Sequence, residues 1–476
     1  MSRLARLAWL TLAMLCLFTL CAGAAVAQLL PGRLALWQLP AVAQRPLPAP
    51  GPVLRPAAGL ALAPATPAGV ASALAPLDSP VFGPAKAAVV TSLDTGKVLY
   101  ARDSGTGFEP ASTAKLATAV AALEVLGPAQ RLSTRVVAGH SRSAIVLVGG
   151  GDPTLAAGRP PAADYPRPAS LAALARATAA ALKARHTRRV RLGYDASLFT
   201  GPQLAPGWPA SYVSTGNVTP IQALEVDQGR LTASGRPQDA DDPLNFRARS
   251  FTPAADAATA FAGFLARDGI TVTGPARPAR AAPGRAWLAS VSSPTVAAMV
   301  QWMLMESNNV IAENLARQVA IATGRPASFS GAAAAEQAAL RKAGLAGGVS
   351  LVDGSGLSPH DRITPDALVR LVQLAASPAD PQLRPVITGL PVAGFAGTLA
   401  PGGSVFGPGG AAGLGLVRAK TGNLSSVTAL AGIAYARSGE LLAFAIMADH
   451  LPARGLTAAG TRMAGLSTAL AACGCH

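Results

Sequence analysis

The sequence predicts a mixed α/β (α+β) fold, in which antiparallel strands from both ends of the folded body combine with apolar helices. At the start of this body, Ala87 to Thr91 and Val98 to Arg102 are short apolar runs on either side of Asp94-Thr95-Gly96, a pattern typical of a β-hairpin. Toward the end, residues 415–419 and 427–436 form two further strand-like runs. Apolar helical segments lie between these two groups of strands.

Size and composition indicate a folded chain of two or more domains. The chain has 476 residues and is 50% hydrophobic, which allows substantial cores and excludes a disordered protein. Cys16 and Cys21 lie near the N-terminus and Cys473 and Cys475 at the extreme C-terminus, so no disulfide framework is expected. The histidines show no metal-ligand spacing, so the sequence predicts no metal site.

The first 27 residues have the pattern of an export signal. Two arginines precede an uncharged apolar run from Leu7 to Ala27, which ends in Ala25-Val26-Ala27. The run is nearly long enough to span a bilayer, so an uncleaved membrane anchor is the alternative. In either case we expect the rest of the chain to lie outside the cytoplasm, in the cell envelope. Residues 28–80 are rich in alanine and proline and predict an extended linker.

The net charge of +16 favours an anionic partner. An anionic cell-wall polymer or a lipid headgroup layer fits this charge. An excess of basic residues more commonly indicates only a solvated basic surface. Nucleic acid is not an expected partner, because an exported chain rarely meets it and the arginines are scattered apart from a cluster at residues 185–191.

Three short motifs follow one another in the order of a serine acyl-transfer site: Ser112-Thr113-Ala114-Lys115, Ser307-Asn308-Asn309 and Lys420-Thr421-Gly422. A serine three residues before a lysine places hydroxyl and amine one helical turn apart, as a nucleophile and its proton acceptor require. Such a pair is common by chance, but this chain has only six lysines and two of them lie in the motifs. Because a buried lysine can lose its proton and an arginine cannot, the choice of lysine indicates a base.

Each motif falls at the end of a predicted element. Ser112 precedes an apolar helix that runs to about residue 126, and the helix dipole there favours the negative charge of an activated serine. Ser307 and Asn309 lie in a tight loop between two predicted helices, and Lys420-Thr421-Gly422 ends a strand-like run. Each motif taken alone also has a purely structural explanation. Ser112 fits an ordinary N-cap serine. Ser307 and Asn309 fit loop side chains that hydrogen-bond to the backbone, and Gly422 fits a hairpin glycine.

Two other motifs favour plain turns. Asp94-Thr95-Gly96 occurs in aspartic proteases, but Lys97 follows it, and Asp353-Gly354-Ser355 does not supply a matching second loop. Gly149-Gly150-Gly151-Asp152-Pro153 lacks the Gly-Lys-Ser/Thr of a phosphate loop, so it predicts a turn after a strand.

With these residues placed, the chain resembles the class C low-molecular-mass penicillin-binding proteins, the D-alanyl-D-alanine carboxypeptidase/endopeptidase family (peptidase family S13). The resemblance runs from about residue 80 to residue 451. Beyond the three motifs it includes three further segments in family order: Gly150 to Leu155, Tyr194 to Trp208, and Asp353 to Ser358.

The resemblance implies a penicillin-binding-protein/β-lactamase-like catalytic domain with an antiparallel sheet between helices. We expect residues 81–131 and 286–470 to build this domain, an abbreviated β-rich insert at 132–285, and a tail at 471–476. The long separation between the first and second motifs fits such an insertion.

The resemblance also implies the chemistry of the first two motifs. Ser112 is the expected nucleophile on the carbonyl between two D-alanines of a peptidoglycan stem peptide, and Lys115 accepts its proton. Ser307 would relay a proton to the departing amine, and Asn309 would hold Lys115 and the substrate amide. The implied enzyme is a serine-type D-Ala-D-Ala carboxypeptidase that β-lactam antibiotics acylate, and it needs no cofactor.

The third motif is expected to bind substrate. Lys420 and Thr421 would hold the terminal carboxylate through charge-assisted hydrogen bonds. Gly422 permits close approach of the backbone to a ligand. The backbone N–H groups of Ser112 and Asn423 would form the oxyanion hole.

Two departures from the family pattern and two alternative functions stay open. Asn423 stands where the family prefers Ser or Thr, and Pro359 stands where it often has Arg. The alternatives are a non-catalytic penicillin-binding sensor or scaffold, and a serine β-lactamase or esterase, which the long insert and Ser307 in place of a tyrosine disfavour. The balance of carboxypeptidase and endopeptidase activity depends on what the insert lets approach Ser112.

Overall fold

The computed structural model describes residue 14 and residues 64–161, 164–231, 247–400 and 413–472, of which all but residue 14 fall in one unit that spans 52–476. The strands are β1 (Ala85–Ser92), β2 (Val98–Arg102), β3 (Ser133–Ala138), β4 (Ala144–Val148), β5 (Arg189–Asp195), β6 (Thr271–Val272), β7 (Arg277–Pro278), β8 (Trp287–Ser292), β9 (Val349–Ser350), β10 (Arg362–Ile363), β11 (Val417–Leu424), β12 (Val427–Tyr435) and β13 (Leu441–Asp449). The α-helices in this unit are α1 (Pro67–Leu74), α2 (Lys115–Leu126), α3 (Leu171–Ala184), α4 (Ser211–Ser214), α5 (Pro253–Arg267), α6 (Val296–Met305), α7 (Asn309–Ala322), α8 (Phe329–Lys342), α9 (Pro365–Ala376), α10 (Arg384–Thr388) and α11 (Leu456–Ala472).

A five-stranded antiparallel sheet joins strands from both ends of the folded body, in the order β11-β12-β13-β1-β2. β1 pairs with β13 along its whole length, from Ala85 opposite Asp449 to Ser92 opposite Leu442. β11 pairs with β12 so that Lys420 lies opposite Ala431. The antiparallel sheet predicted from the sequence is confirmed.

Both faces of this sheet are buried, which explains why its strands are almost continuously apolar. Along β13, residues 441, 443, 445 and 447 belong to one core, and residues 442, 444, 446 and 448 belong to another. The first core lies against α2 and α6 to α10, and the second lies against α1 and α11. Because successive side chains of a strand point to opposite faces, one apolar strand supplies both layers. The predicted arrangement of a sheet between helices is confirmed.

The segment between the two parts of this domain forms a second sheet with the strand order β6-β5-β4-β3-β8, in which β7 also pairs with β5. β4 and β5 run parallel, and β3 pairs antiparallel with both β4 and β8. Helices α3 and α5 cover one face of this sheet, where Leu174 and Phe261 share a core with Leu147 and Leu192. The insert is therefore more helical than the β-rich insert that we expected, and its strand β8 lies beyond the expected boundary at residue 285.

The prediction of a linker at residues 28–80 is wrong for its last part. Residues 67–74 form α1, and 3₁₀ turns continue to residue 82. Helical spacing of apolar residues was present in the sequence, but the alanine- and proline-rich composition masked it. Pro67 is tolerated because it occupies the first turn, where its missing N–H has no helical partner. The side chains that this segment buries in the second core are Val70, Leu74, Leu77 and Phe82.

No helix in the described part of the chain is long and apolar enough to cross a membrane. Apart from residue 14, the predicted leader at residues 1–27 lies outside the described ranges, as do Cys473 and Cys475. The leader or anchor therefore stays a prediction.

Replacing Leu74 by alanine tests whether α1 belongs to the folded body. Leu74 is 1% exposed in the second core, so Leu74→Ala should lower the free energy of unfolding by about 2–5 kcal/mol, through lost burial and the cavity left behind. Leu198→Ala is the matched control, because Leu198 is 39% exposed. Urea unfolding followed by circular dichroism measures both. Equal, small effects of the two variants would contradict the packing of α1.

Candidate active site

Ser112 lies on a tight turn that leads directly into α2. Residues Ala111–Ala114 form a 3₁₀ turn, and Lys115 is the first residue of α2. Ala111 has a φ of 45°, a backbone conformation that a non-glycine residue rarely adopts. The turn places the Lys115 Nζ atom 2.8 Å from the Ser112 Oγ atom. The contact predicted from the spacing of serine and lysine is therefore present.

The amine of Lys115 is fully buried and has three oxygen partners. Besides Ser112, it lies 2.6 Å from Asn309 Oδ1 and 2.7 Å from the backbone carbonyl oxygen of Ser355. A neutral amine has two N–H donors and one lone pair, and the two carbonyl-type oxygens can only accept hydrogen bonds. Neutral Lys115 must therefore direct its lone pair toward Ser112, the one partner of the three that carries an O–H.

Burial lowers the pKa of Lys115 to about 7. The carboxylates of Asp353, Glu313 and Asp361 act in the opposite direction, but their effect is smaller than that of desolvation. A lysine with this pKa is substantially neutral near pH 7, so it can accept a proton from the serine hydroxyl.

The second motif lies between α6 and α7, as predicted. Ser307 has a φ of 54°, a strained backbone conformation that the two flanking helices maintain. Asn308 caps α7 through a hydrogen bond that its Oδ1 accepts from the N–H of Ile311, at 3.0 Å. Asn309 is the first residue of α7, and its Nδ2 donates to the carbonyl of Asn217 at 2.8 Å. This bond fixes which end of the Asn309 amide faces Lys115.

The third motif lies within β11, whereas the sequence predicted that it would end the strand. Lys420 is fully buried, and its Nζ lies 2.9 Å from Ser307 Oγ and 2.8 Å from the carbonyl oxygen of Thr421. Burial lowers the pKa of Lys420 well below its usual range, and the neighbouring Lys115 adds to the shift. The Thr421 hydroxyl lies 2.9 Å from that of Thr398. The structure thus links the second and third motifs through Ser307 and Lys420.

The edge of β11 also approaches the serine turn. A Cβ atom on Gly422 would lie 2.6 Å from the carbonyl oxygen of Pro110, so only glycine allows this separation. The next residue, Asn423, is exposed, and its Oδ1 accepts a hydrogen bond from the hydroxyl of Thr428 at 2.9 Å. The Asn423 side chain is therefore held by its own hairpin.

The structure adds one element that motif analysis did not assign to the site, the loop at residues 353–358. Ser355 in this loop supplies the carbonyl oxygen that contacts Lys115. The carboxylate of Asp353 organises the loop, because it accepts backbone hydrogen bonds from Ser355, Gly356 and Ser358 at 3.0, 2.6 and 2.7 Å, and one from Trp208 Nε1 at 2.7 Å. In the sequence, this loop is visible only as the Asp353 to Ser358 segment of the family resemblance.

Gly356 explains how closely this loop packs against the serine turn. Its φ is +80°, and a Cβ atom would lie 1.9 Å from the carbonyl oxygen of Ala111. No other residue type fits this position without moving the backbone that carries Ser112.

Further carboxyl groups are buried behind Lys115. Glu313 on α7 accepts a hydrogen bond from the N–H of Gly354, and burial raises its pKa to about 8, with the charge of Asp353 acting in the same direction. Burial also raises the pKa of Glu336 and of Asp361 well above their usual ranges. Asp353 differs from these groups in accepting three backbone N–H bonds and the indole N–H of Trp208. In the part of the chain that the structure describes, no cluster of His, Cys, Asp and Glu could hold a metal ion.

Replacing Asp353 by asparagine removes a negative charge that raises the pKa of Lys115. In Asp353→Asn we therefore expect the pKa of Lys115 to fall further. The pH below which acylation of Ser112 becomes slow should then be lower than in the wild type by about one unit. The acylation rate measured against pH tests this. Asp366→Asn is the control and should leave the profile unchanged, because it removes the same charge from an exposed position that is not among the groups shifting the pKa of Lys115. An unshifted profile in Asp353→Asn would contradict the electrostatic role.

Comparisons with known proteins show the family of this chain. The chain matches the profile of the D-Ala-D-Ala carboxypeptidase 3 (S13) family over residues 70–247 and 230–470. It is 38% identical to a carboxypeptidase of Mycobacterium tuberculosis, over 86% of this chain and 85% of that one. It is 30% identical to a D-alanyl-D-alanine carboxypeptidase of an Actinomadura species, over 78% of each chain.

A solved structure shows the same fold. Penicillin-binding protein 4 of Haemophilus influenzae matches with a TM-score of 0.67 at 22% identity, over 84% of this chain and 97% of that one. The family expected from the motifs is therefore confirmed, and the chain belongs to the D-Ala-D-Ala carboxypeptidase 3 (S13) family.

Proposed function

We propose that this protein is a serine-type D-Ala-D-Ala carboxypeptidase that hydrolyses peptidoglycan stem peptides through an acyl-enzyme on Ser112, and that β-lactam antibiotics acylate the same serine. The observation that carries the proposal is the contact of Ser112 with a fully buried lysine whose other two partners can only accept hydrogen bonds. Family membership and the names of the relatives support the same activity.

In the first step, Ser112 Oγ attacks the carbonyl carbon of the penultimate D-alanine. A C–O bond forms while the hydroxyl proton passes to Lys115 Nζ. The carbonyl oxygen becomes an oxyanion, for which the backbone N–H groups of Ser112 and Asn423 are the proposed donors. Since the Asn423 side chain bonds to Thr428, this role uses only the backbone at position 423.

In the second step, the C–N bond breaks and the terminal D-alanine leaves as an amine. Its nitrogen takes up the proton that Lys115 received from Ser112, with Ser307, whose hydroxyl is held by Lys420 Nζ, as the proposed relay, so Lys115 is neutral again before deacylation. Water then attacks the acyl-enzyme carbonyl, with Lys115 again as proton acceptor, and the protonated lysine returns its proton to Ser112 Oγ. The serine is regenerated and the shortened peptide is released.

Substrate recognition rests on the terminal carboxylate. Protonated Lys420 has three N–H donors on Nζ, and protein oxygens take two of them, so one donor remains for a ligand. The Thr421 hydroxyl, beside that of Thr398, adds a further donor. Asn309 would bind the substrate amide as well as Lys115. Cleavage of cross-links in peptidoglycan, the endopeptidase reaction, is part of the proposal, because it breaks the same bond type by the same steps.

The proposed location is the cell envelope, outside the cytoplasm. Peptidoglycan lies there, and the apolar segment at residues 7–27 would serve as an export signal or as an anchor. Mass spectrometry of the N-terminus of the exported protein distinguishes a cleaved leader from an anchor.

Ser112→Ala tests the proposed function. This variant lacks the nucleophile, so hydrolysis of a D-Ala-D-Ala peptide should fall by about a thousandfold or more, and labelling by fluorescent penicillin should disappear. Ser214→Ala is the control, since Ser214 is exposed and lies outside the site. Wild-type turnover in Ser112→Ala would refute the mechanism. Penicillin labelling of the wild type without peptide hydrolysis would favour a sensor, and faster hydrolysis of a cephalosporin than of the peptide would favour a β-lactamase.

The pH dependence follows from the pKa of Lys115, which burial lowers to about 7. The neutral amine is the active form, so kcat/KM should rise with pH, reach half of its plateau near pH 7, and fall about tenfold per unit below it. Lys115→Arg keeps the charge at every pH and should be inactive throughout. Hydrolysis rates between pH 5 and 9 measure this. A rate that is constant down to pH 5 would contradict Lys115 as the base.

A further inference from the structure

A cavity lies on the inserted sheet, on a part of the chain that supplies none of the proposed catalytic residues. It encloses about 610 Å³, within the range of small-ligand sites. Its lining comes from the β3–β4 turn, from β4 and β5, and from the chain at residues 273–280.

The cavity exists because one face of the inserted sheet is only half covered. Helices α3 and α5 pack on the opposite face. On the open face, the chain at residues 279–286 crosses the sheet from β5 to β3. At its start, the N–H of Ala279 donates to the carbonyl oxygen of Tyr194 at 2.8 Å. At its end, the carbonyl oxygen of Ala286 accepts from the N–H of Ala138 at 3.1 Å. Beneath this crossing segment, Val137, Val146 and Val148 are buried against Ala279 and Ala281. The part of this face that the crossing segment leaves uncovered forms the floor of the cavity.

The charge of the cavity wall is entirely positive. Arg191 lines it from β5, Arg277 and Arg280 line it from the segment at residues 273–280, and His140 lies in the turn at one end. Arg285 of the crossing segment extends the basic surface, with its Nη2 3.3 Å from His140 Nδ1. No lining residue is acidic, and the stretches 132–148 and 270–292 contain no Asp or Glu.

None of the three lining arginines forms an ion pair with a described residue. The nearest acidic residue along β5, Asp195, accepts hydrogen bonds from the backbone N–H groups of Ala281 and Ser197 at 2.7 and 2.9 Å, and it also interacts electrostatically with Arg280. Three guanidinium groups around one hollow repel each other, and an anion bound between them would offset this repulsion. Arginine forks bind the oxygens of phosphate and carboxylate groups in pairs.

We propose that this cavity binds a phosphodiester unit of an anionic cell-envelope polymer. A phosphodiester carries two charged oxygens and two ester oxygens in a tetrahedral arrangement, so it offers acceptors in more directions than a planar carboxylate, which suits arginines that approach from two segments of the chain. Ala144 and Val146 on the floor provide apolar contact for the carbon skeleton of the repeat. Basic residues continue outside the cavity at Arg142, Arg189 and Arg285, so successive phosphates of a polymer have partners, whereas a flat lipid surface would not enter the concave site.

Binding of fluorescent poly(glycerol phosphate) to the full chain, measured by anisotropy at several salt concentrations, tests the proposal. The triple variant Arg191→Gln, Arg277→Gln, Arg280→Gln should bind at least about tenfold more weakly and show a smaller salt dependence. The control variant Arg325→Gln, Arg341→Gln, Arg370→Gln removes the same charge from exposed positions elsewhere and should change binding less than about threefold. Hydrolysis of a small D-Ala-D-Ala peptide should stay unchanged in both variants.

A second variant keeps the test decisive if the triple variant does not fold. Ser141→Trp fills the mouth of the cavity without removing charge, and it should also weaken polymer binding at least about tenfold. Competition by glycerol 3-phosphate would support the phosphate chemistry. The proposal is overturned by equal losses in the two triple variants, by equally tight binding of polyglutamate, or by binding of phosphatidylglycerol vesicles in place of the polymer.

Discussion

The burial of one amine governs the geometry of the site. Lys115 has no water-exposed surface, so each of its hydrogen-bonding directions must be met by a protein oxygen. The three oxygens come from the serine turn, from the start of α7 and from the loop at residues 353–358. Movement of any of these segments would leave a buried polar group without a partner, which is costly. The need to provide hydrogen-bond partners for the Lys115 amine therefore holds the three segments in fixed relative positions.

This requirement extends outward through Asp353. The carboxylate fixes the backbone that presents the Ser355 carbonyl to Lys115, and it is itself held by the indole of Trp208. Trp208 packs edge-on against Phe329 at the start of α8, and the guanidinium of Arg317 lies over the Phe329 ring. The site is thus supported by a chain of contacts that reaches from the insert to the helices behind the sheet. Such support keeps Ser112 and Lys115 at a fixed separation, as proton transfer requires.

The sequence predicted those parts of the structure that depend on local periodicity and on spacing within one helix. The contact of Ser112 with Lys115 and the hairpin of β1 and β2 are of this kind. It could not predict that the Ser355 carbonyl completes the lysine site, because Ser355 is far from Lys115 in sequence and contributes only a backbone atom. Helix α1 was missed for another reason: residues 64–80 have a composition typical of linkers, and burial in the second core beside α11 and β2 decides their conformation.

Two buried lysines in one site restrict the order of events. Lys115 and Lys420 each lower the other's affinity for a proton if both are charged, and burial disfavours both charges. A substrate carboxylate placed beside Lys420 would stabilise the protonated form of that residue. The charge on Lys420 would in turn oppose protonation of Lys115, the proposed base. Two adjacent buried amines have a lower electrostatic energy when only one of them is charged. A substrate carboxylate would place that charge on Lys420 and leave Lys115 neutral. Binding of the terminal carboxylate would therefore favour the protonation states that attack by Ser112 requires.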